Sequence, residues 1–207
     1  NEIVKAGTYY PKVRKRLARA CDNLGCAAPE IFLSLRDYSG FVVSMYCEYI
    51  RHRDFMPFED YYEIYRQSGF SWQAVIDAVV AAVPEGRVTL WDFGDFRAIE
   101  NAVFSAMLGV DAGFLQTQGK PARESFSGTM IRSLEALTGI LSPSELHDLV
   151  APLNKIVPRG LEHKAFAPLP EADRAAMTAQ YRDDLDAIAR RHPEIVLLRA
   201  KPDSQQA

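Results

Sequence analysis

The feature that most constrains the fold is a change of period at Ser39. Glu30-Ile31-Phe32-Leu33-Ser34-Leu35-Arg36, bounded by Pro29 and Asp37, is a short run of β-branched and large apolar residues that suits a buried parallel strand. From Tyr38 the apolar positions recur at three- and four-residue steps, through Phe41, Val42, Met45, Tyr46, Tyr49 and Ile50. That is one face of a helix running to about Arg53, with Asp37 or Ser39 placed to cap its first turn. A second strand is expected at Arg87–Phe93, followed by a helix from about Ala98 to Leu108 that ends at Gly109. Between the two strands, Phe58, Tyr61, Tyr62 and Tyr65 mark a short aromatic-faced helix. Another opens at Ser71-Trp72 and stops at Pro84-Glu85-Gly86. Strand, helix, helix, strand, helix is the rhythm of a parallel α/β sheet.

The flanks are helical in pattern. Lys12 to Ala20 reads as a basic amphipathic helix ending near Gly25, its cations forming either a solvated face or an anion-facing patch. Residues 110–127 read as a loop, followed by helices at about 128–139, at 143–152 behind Ser142-Pro143, and from Glu171 to Arg191, closed by Pro193. One domain over residues 1–200 and a polar tail at 201–207 are expected. No stretch approaches the ~20 apolar residues of a membrane span, and a net charge of −3 argues against a surface that grips nucleic acid as a whole. Cys21, Cys26 and Cys47, without a zinc-ligand pattern, read as reduced thiols of a cytoplasmic protein.

Chemistry is best sought around Arg36 and Ser44. Ligands of open α/β sheets bind outside the carboxyl ends of the strands, and helix N-termini attract phosphate. Arg36 leaves such a strand end with a bidentate donor fork, and Ser44 adds a hydroxyl in the first turns of the next helix. On a helical wheel Ser44 lies with Glu48 and Arg51, off the centre of the Phe41/Met45 stripe. The alternative is that Arg36 pairs with Asp37 or Glu48 and Ser44 is merely a small helix residue. Asp92, Asp95 and Glu100 form an acidic cluster that suits either a carboxylate site or a capped turn. Lys120 and Arg123 could reach a phosphate. His52, His147, His163 and His192 read as surface residues, with His52 the one weighed for work on an acceptor. Nucleotide-loop, zinc-protease, nucleophile-elbow and EF-hand motifs are missing from the sequence.

The run Ser34-Leu35-Arg36-Asp37 through Phe41-Val42-Val43-Ser44-Met45-Tyr46 resembles the 3′-phosphate-binding segment of the sulfotransferase superfamily, bacterial members above all. Trp72 through Phe96, Arg123-Glu124-Ser125-Phe126-Ser127 and Tyr181-Arg182-Asp183-Asp184-Leu185 are similar to later stretches of that family, although Gly94 stands where a Glu is usual. The likeness covers roughly residues 30–190. It implies a three-layer α/β fold of P-loop type, with a short parallel sheet and a helical C-terminal part. It also implies transfer of a sulfuryl group from PAPS (3′-phosphoadenosine 5′-phosphosulfate) to a hydroxyl or amine of a small-molecule or carbohydrate acceptor. Arg36 and Ser44 would hold the 3′-phosphate, 3′,5′-adenosine bisphosphate would be the product, and no metal would be needed.

The family's phosphate loop has no match here. Lys5-Ala6-Gly7-Thr8 is the nearest string, and Asn1 to Pro11 resembles the segment that follows the loop, so the loop is expected upstream of Asn1. The family's histidine base has no counterpart before residue 36, which leaves the base unassigned. Two other readings stay open: an inactive descendant acting as a binding scaffold, and a nucleotide-binding phosphotransferase. The aromatic density between Tyr46 and Trp72 leaves room for self-association.

Overall fold

The computed structural model describes residues 9–115 and 125–200. In chain order these form α1 (Val13–Leu24), β1 (Glu30–Leu35), α2 (Tyr38–His52), α3 (Phe58–Gln67), α4 (Trp72–Val80), β2 (Arg87–Asp92), α5 (Phe96–Leu108), α6 (Gly128–Ala136), α7 (Pro143–Ile156), α8 (Glu171–Arg191) and β3 (Val196–Leu198). The class is mixed α/β. The three strands make one parallel sheet in the order β1-β2-β3, with Leu33 opposite Leu90 and Leu90 opposite Leu197.

The described residues gather into two compact units. The first comprises residues 9–11, 38–70 and 125–177; the second comprises 12–37, 71–115 and 178–200.

The first unit is helical and is built on α2. Phe41, Val42, Tyr46, Cys47 and Ile50 of α2 are buried, and α3 and α7 pack against that helix. Tyr46 is fully enclosed by the rings of Phe58, Tyr61 and Phe166, and its hydroxyl donates to Met56 O at 2.9 Å. Burial drives this phenol well above the ordinary tyrosine range. A second aromatic group stacks Phe41 on Phe70 at 4.7 Å, with Tyr9 edge-on to Phe41. Side-chain caps hold the starts of α6 and α7. Ser142 and Glu145 close a capping box at α7, and Ser142 holds the exposed Glu145 carboxyl below its usual range. The fully buried Ser127 accepts from Met130 N–H at 3.1 Å and donates to Val157 O at 2.6 Å.

Helix α7 is longer than the sequence suggests. It runs through Pro152 to Ile156. Proline lacks an N–H and so removes one ladder bond. The last turn is nevertheless held by Val157 N–H donating to Leu153 O at 2.8 Å and by the Ser127 hydroxyl on Val157 O.

The second unit contains the sheet. Trp91, Ile99 and Val103 are buried together, with Phe32, Phe96 and Leu198 against them. Ser71 caps α4, accepting from Gln73 N–H, as the Ser-Trp opening implies. The buried Asp184 of α8 accepts from Gln73 Nε2 at 3.0 Å and from Ser71 Oγ at 3.3 Å. Truncation at Asp184→Ala would strand both donors, so a loss of about 1–3 kcal/mol is expected in urea unfolding. Asp184→Asn, which keeps an acceptor, should lose less.

His192 departs from the surface reading. Its side chain is 14% exposed and sits between Asp77 Oδ1 (2.7 Å) and Glu194 Oε1 (3.2 Å), where it fixes the turn that leads into β3. Strand β3 itself escaped the sequence pattern: three residues after Pro193 are too few to show a period.

Candidate functional site

In the second unit, β1 ends at Leu35 and Arg36 follows at the carboxyl edge of the parallel pair. The turn is fixed by its main chain. Trp72 Nε1 donates to Arg36 O at 2.8 Å, and Phe93 N–H donates to Leu35 O at 2.7 Å. The Arg36 guanidinium is half-buried and lies 4.9 Å from the ring centroid of Phe93, the first residue beyond β2. The contact is within cation–π range. A guanidinium is the side-chain group best matched to phosphate oxygens, through its planar donor fork.

Of the acidic residues around the end of β2, Asp92 holds the turn. Asp92 Oδ1 accepts from Gly94 N–H at 2.5 Å, Asp95 occupies the N-cap position of α5, and Glu100 lies 3.5 Å from Arg97. Among the described residues, no three His, Cys, Asp or Glu side chains converge as a metal site.

In the first unit, Ser44 lies half-buried on α2, between the buried Phe41 and Tyr46 positions and the Glu48–Arg51 ion pair on the same helix. Helix α2 begins at Tyr38, so Asp37 precedes it and Ser39 lies within its first turn. Arg51 also stacks 4.3 Å from the Phe126 ring centroid. His52 is half exposed beside Glu48. His147 Nδ1 faces Ile50 O at 3.1 Å and His163 Nδ1 faces Thr129 Oγ1 at 3.2 Å, so both are partly buried rather than purely surface residues. Lys5 to Thr8, Lys120 and Arg123 lie outside the described residues.

The first unit also holds a cavity of about 760 Å³ that sequence reasoning missed. Phe58 and Phe166 give it an apolar wall, while Glu59, Arg132, Glu135 and Lys164 give it charge. Its lining comes from segments far apart in sequence, brought together in part by an antiparallel bridge between Ser127 and Ala165. Glu135 has a structural duty there. Helix α3 starts behind Pro57, which offers no side-chain cap, and the Glu135 carboxylate accepts the Phe58 N–H instead. Burial pushes the Glu135 carboxyl above the ordinary glutamic acid range; the Phe58 N–H and Arg132 oppose this, and the Glu59 charge adds to it.

A raised carboxyl stabilises the fold most when protonated. That contribution is complete below the unfolded-state value and is lost as pH rises through the folded-state value. Glu135→Gln keeps an acceptor for Phe58 without the charge. It should therefore be more stable than the parent at neutral pH, the difference closing as pH falls into the acid range. Urea midpoints of the two proteins along a pH series check this.

A second cavity, of about 300 Å³, lies in the second unit and is lined entirely by apolar residues, among them Leu90, Leu185, Ile188, Pro193, Ile195 and Leu197.

Compared with models of known protein families, with curated proteins and with solved structures, the chain matches none. No helix among the described residues is long and apolar enough to cross a membrane.

Proposed function

We propose that the protein is a sulfotransferase-like transferase of three-layer, P-loop-type architecture that takes a sulfuryl group from PAPS. The observation that carries this reading is Arg36. It stands at the carboxyl end of a parallel strand, immediately before a helix, with its guanidinium against the aromatic residue that follows the neighbouring strand. Ligands of open α/β sheets bind at such strand ends. Arg36 holds the 3′-phosphate in this proposal, and the sequence spacing from Arg36 to Ser44 matches the family pattern.

In the reaction, the acceptor oxygen or nitrogen bonds to sulfur as the sulfur–oxygen bond to the 5′-phosphate breaks, and 3′,5′-adenosine bisphosphate leaves. The acceptor's proton passes to a base. Positioning and charge stabilisation supply most of the rate in such a transfer. Arg36 contributes to the first by anchoring the nucleotide at a point remote from the reacting sulfur.

Calorimetric titration with 3′,5′-adenosine bisphosphate, with and without Mg²⁺, tests the proposal. Micromolar binding that ignores the metal is the expected result. Tighter, Mg²⁺-dependent binding of a nucleoside triphosphate would replace the reading with phosphoryl transfer. A folded protein that binds neither would be a scaffold built on the same turn.

A further inference from the structure

We propose that Cys21 and Cys26 form a dithiol site, which a peroxide closes to an intramolecular disulfide and a thiol reductant reopens. The two residues bracket the end of α1. Gly25, at φ 61°, turns the chain there in the left-handed conformation. Gly25 N–H donates to Asp22 O at 3.1 Å, and Cys26 N–H donates to Cys21 O at 3.0 Å. These two nested bonds are those of the Schellman helix ending. In that ending the side chains at the positions held by Cys21 and Cys26 meet across the helix end, ordinarily as a hydrophobic contact. Here both are free thiols.

Sequence spacing alone does not pair them. On an uninterrupted helix, residues five apart point about 140° away from each other. The turn at Gly25 is what brings Cys26 back over Cys21. Covalent geometry sets the reach. A straight path from Cys21 Cα through its carbonyl oxygen and the 3.0 Å bond to Cys26 Cα would measure about 7 Å. Carbonyl and amide angles bend that path, which brings the pair within the ~4.4–6.8 Å that a disulfide spans.

The two thiols differ in access: Cys26 is exposed and Cys21 is half covered, while Cys47 is buried in α2 and shielded from oxidants. Peroxide therefore meets Cys26 first. The Cys26 sulfur bonds to one peroxide oxygen as the O–O bond breaks, giving a sulfenic acid and one water. The Cys21 sulfur then attacks the Cys26 sulfur. The S–S bond forms, the S–O bond breaks, and the leaving hydroxyl takes the Cys21 proton as a second water. Two thiols and one peroxide thus give one disulfide and two waters, and a dithiol reverses the bond by two exchange steps.

Peptide mapping of the full chain after a stoichiometric pulse of hydrogen peroxide, with remaining thiols alkylated in denaturant, is the test. The chain should become about 2 Da lighter, with Cys21 joined to Cys26 and Cys47 the one thiol of three still alkylated. Dithiothreitol should restore all three. In Cys21→Ser the exposed Cys26 lacks a partner and should proceed to sulfinic acid, about 32 Da heavier. In Cys26→Ser, a change at an exposed position, both remaining thiols should survive the pulse. Three free thiols in the treated parent would overturn the proposal. So would disulfides between chains, or a parent in which Cys26 reaches sulfinic acid as readily as in Cys21→Ser.

Discussion

Replacing Arg36 with alanine is expected to weaken binding of 3′,5′-adenosine bisphosphate by about 2–3 kcal/mol, or roughly 30- to 150-fold. The size is that of a charge-assisted, bidentate phosphate contact of the kind proposed for Arg36. The fold should tolerate the change, because the bond that fixes this turn runs from Trp72 Nε1 to the main-chain oxygen of Arg36, which alanine retains. Arg36→Lys should recover only part of the affinity, since an ammonium keeps the charge without the planar fork or the stacking on Phe93. Unchanged calorimetric affinity in Arg36→Ala would remove the donor site, whatever the parent protein binds.

The largest stability effect is expected at Tyr46. Tyr46→Ala empties a fully buried site among Phe58, Tyr61 and Phe166, and should cost about 3–5 kcal/mol. Tyr46→Phe keeps the ring contacts and leaves the Met56 carbonyl without that donor, for a loss nearer 1 kcal/mol. Urea unfolding of the two variants separates the packing contribution from that of the hydrogen bond. If alanine and phenylalanine cost the same, the aromatic cluster is not what holds the first unit together.

The fold was legible in the sequence where local signals and burial agree. The strand at Glu30, the helix after it and the bounds of α8 follow from period, proline and capping residues alone. What escaped has a common cause: it depends on partners distant in sequence. Strand β3 is too short to have a period and exists because β2 offers it a ladder. Helix α7 outlasts Pro152 because a buried serine thirty residues upstream holds its final carbonyl. Glu135 looks like an ordinary helix-surface acid until α3 supplies an uncapped N–H beside it. The candidate site divides the same way. Arg36 could be found from the strand end, whereas the ring under its guanidinium and the cavity of the first unit required the tertiary structure.

The pairing of Thr89 with Val196 also sets an order of events during synthesis. Strand β1 finds β2 as soon as both have left the ribosome, but the far edge of β2 must wait for about a hundred further residues. Until then it carries a row of open N–H and C=O groups, the kind of template on which nascent chains aggregate. The last strand to be made therefore acts as a latch. A chain stalled within α8 would expose the very edge that its next few residues are built to cover.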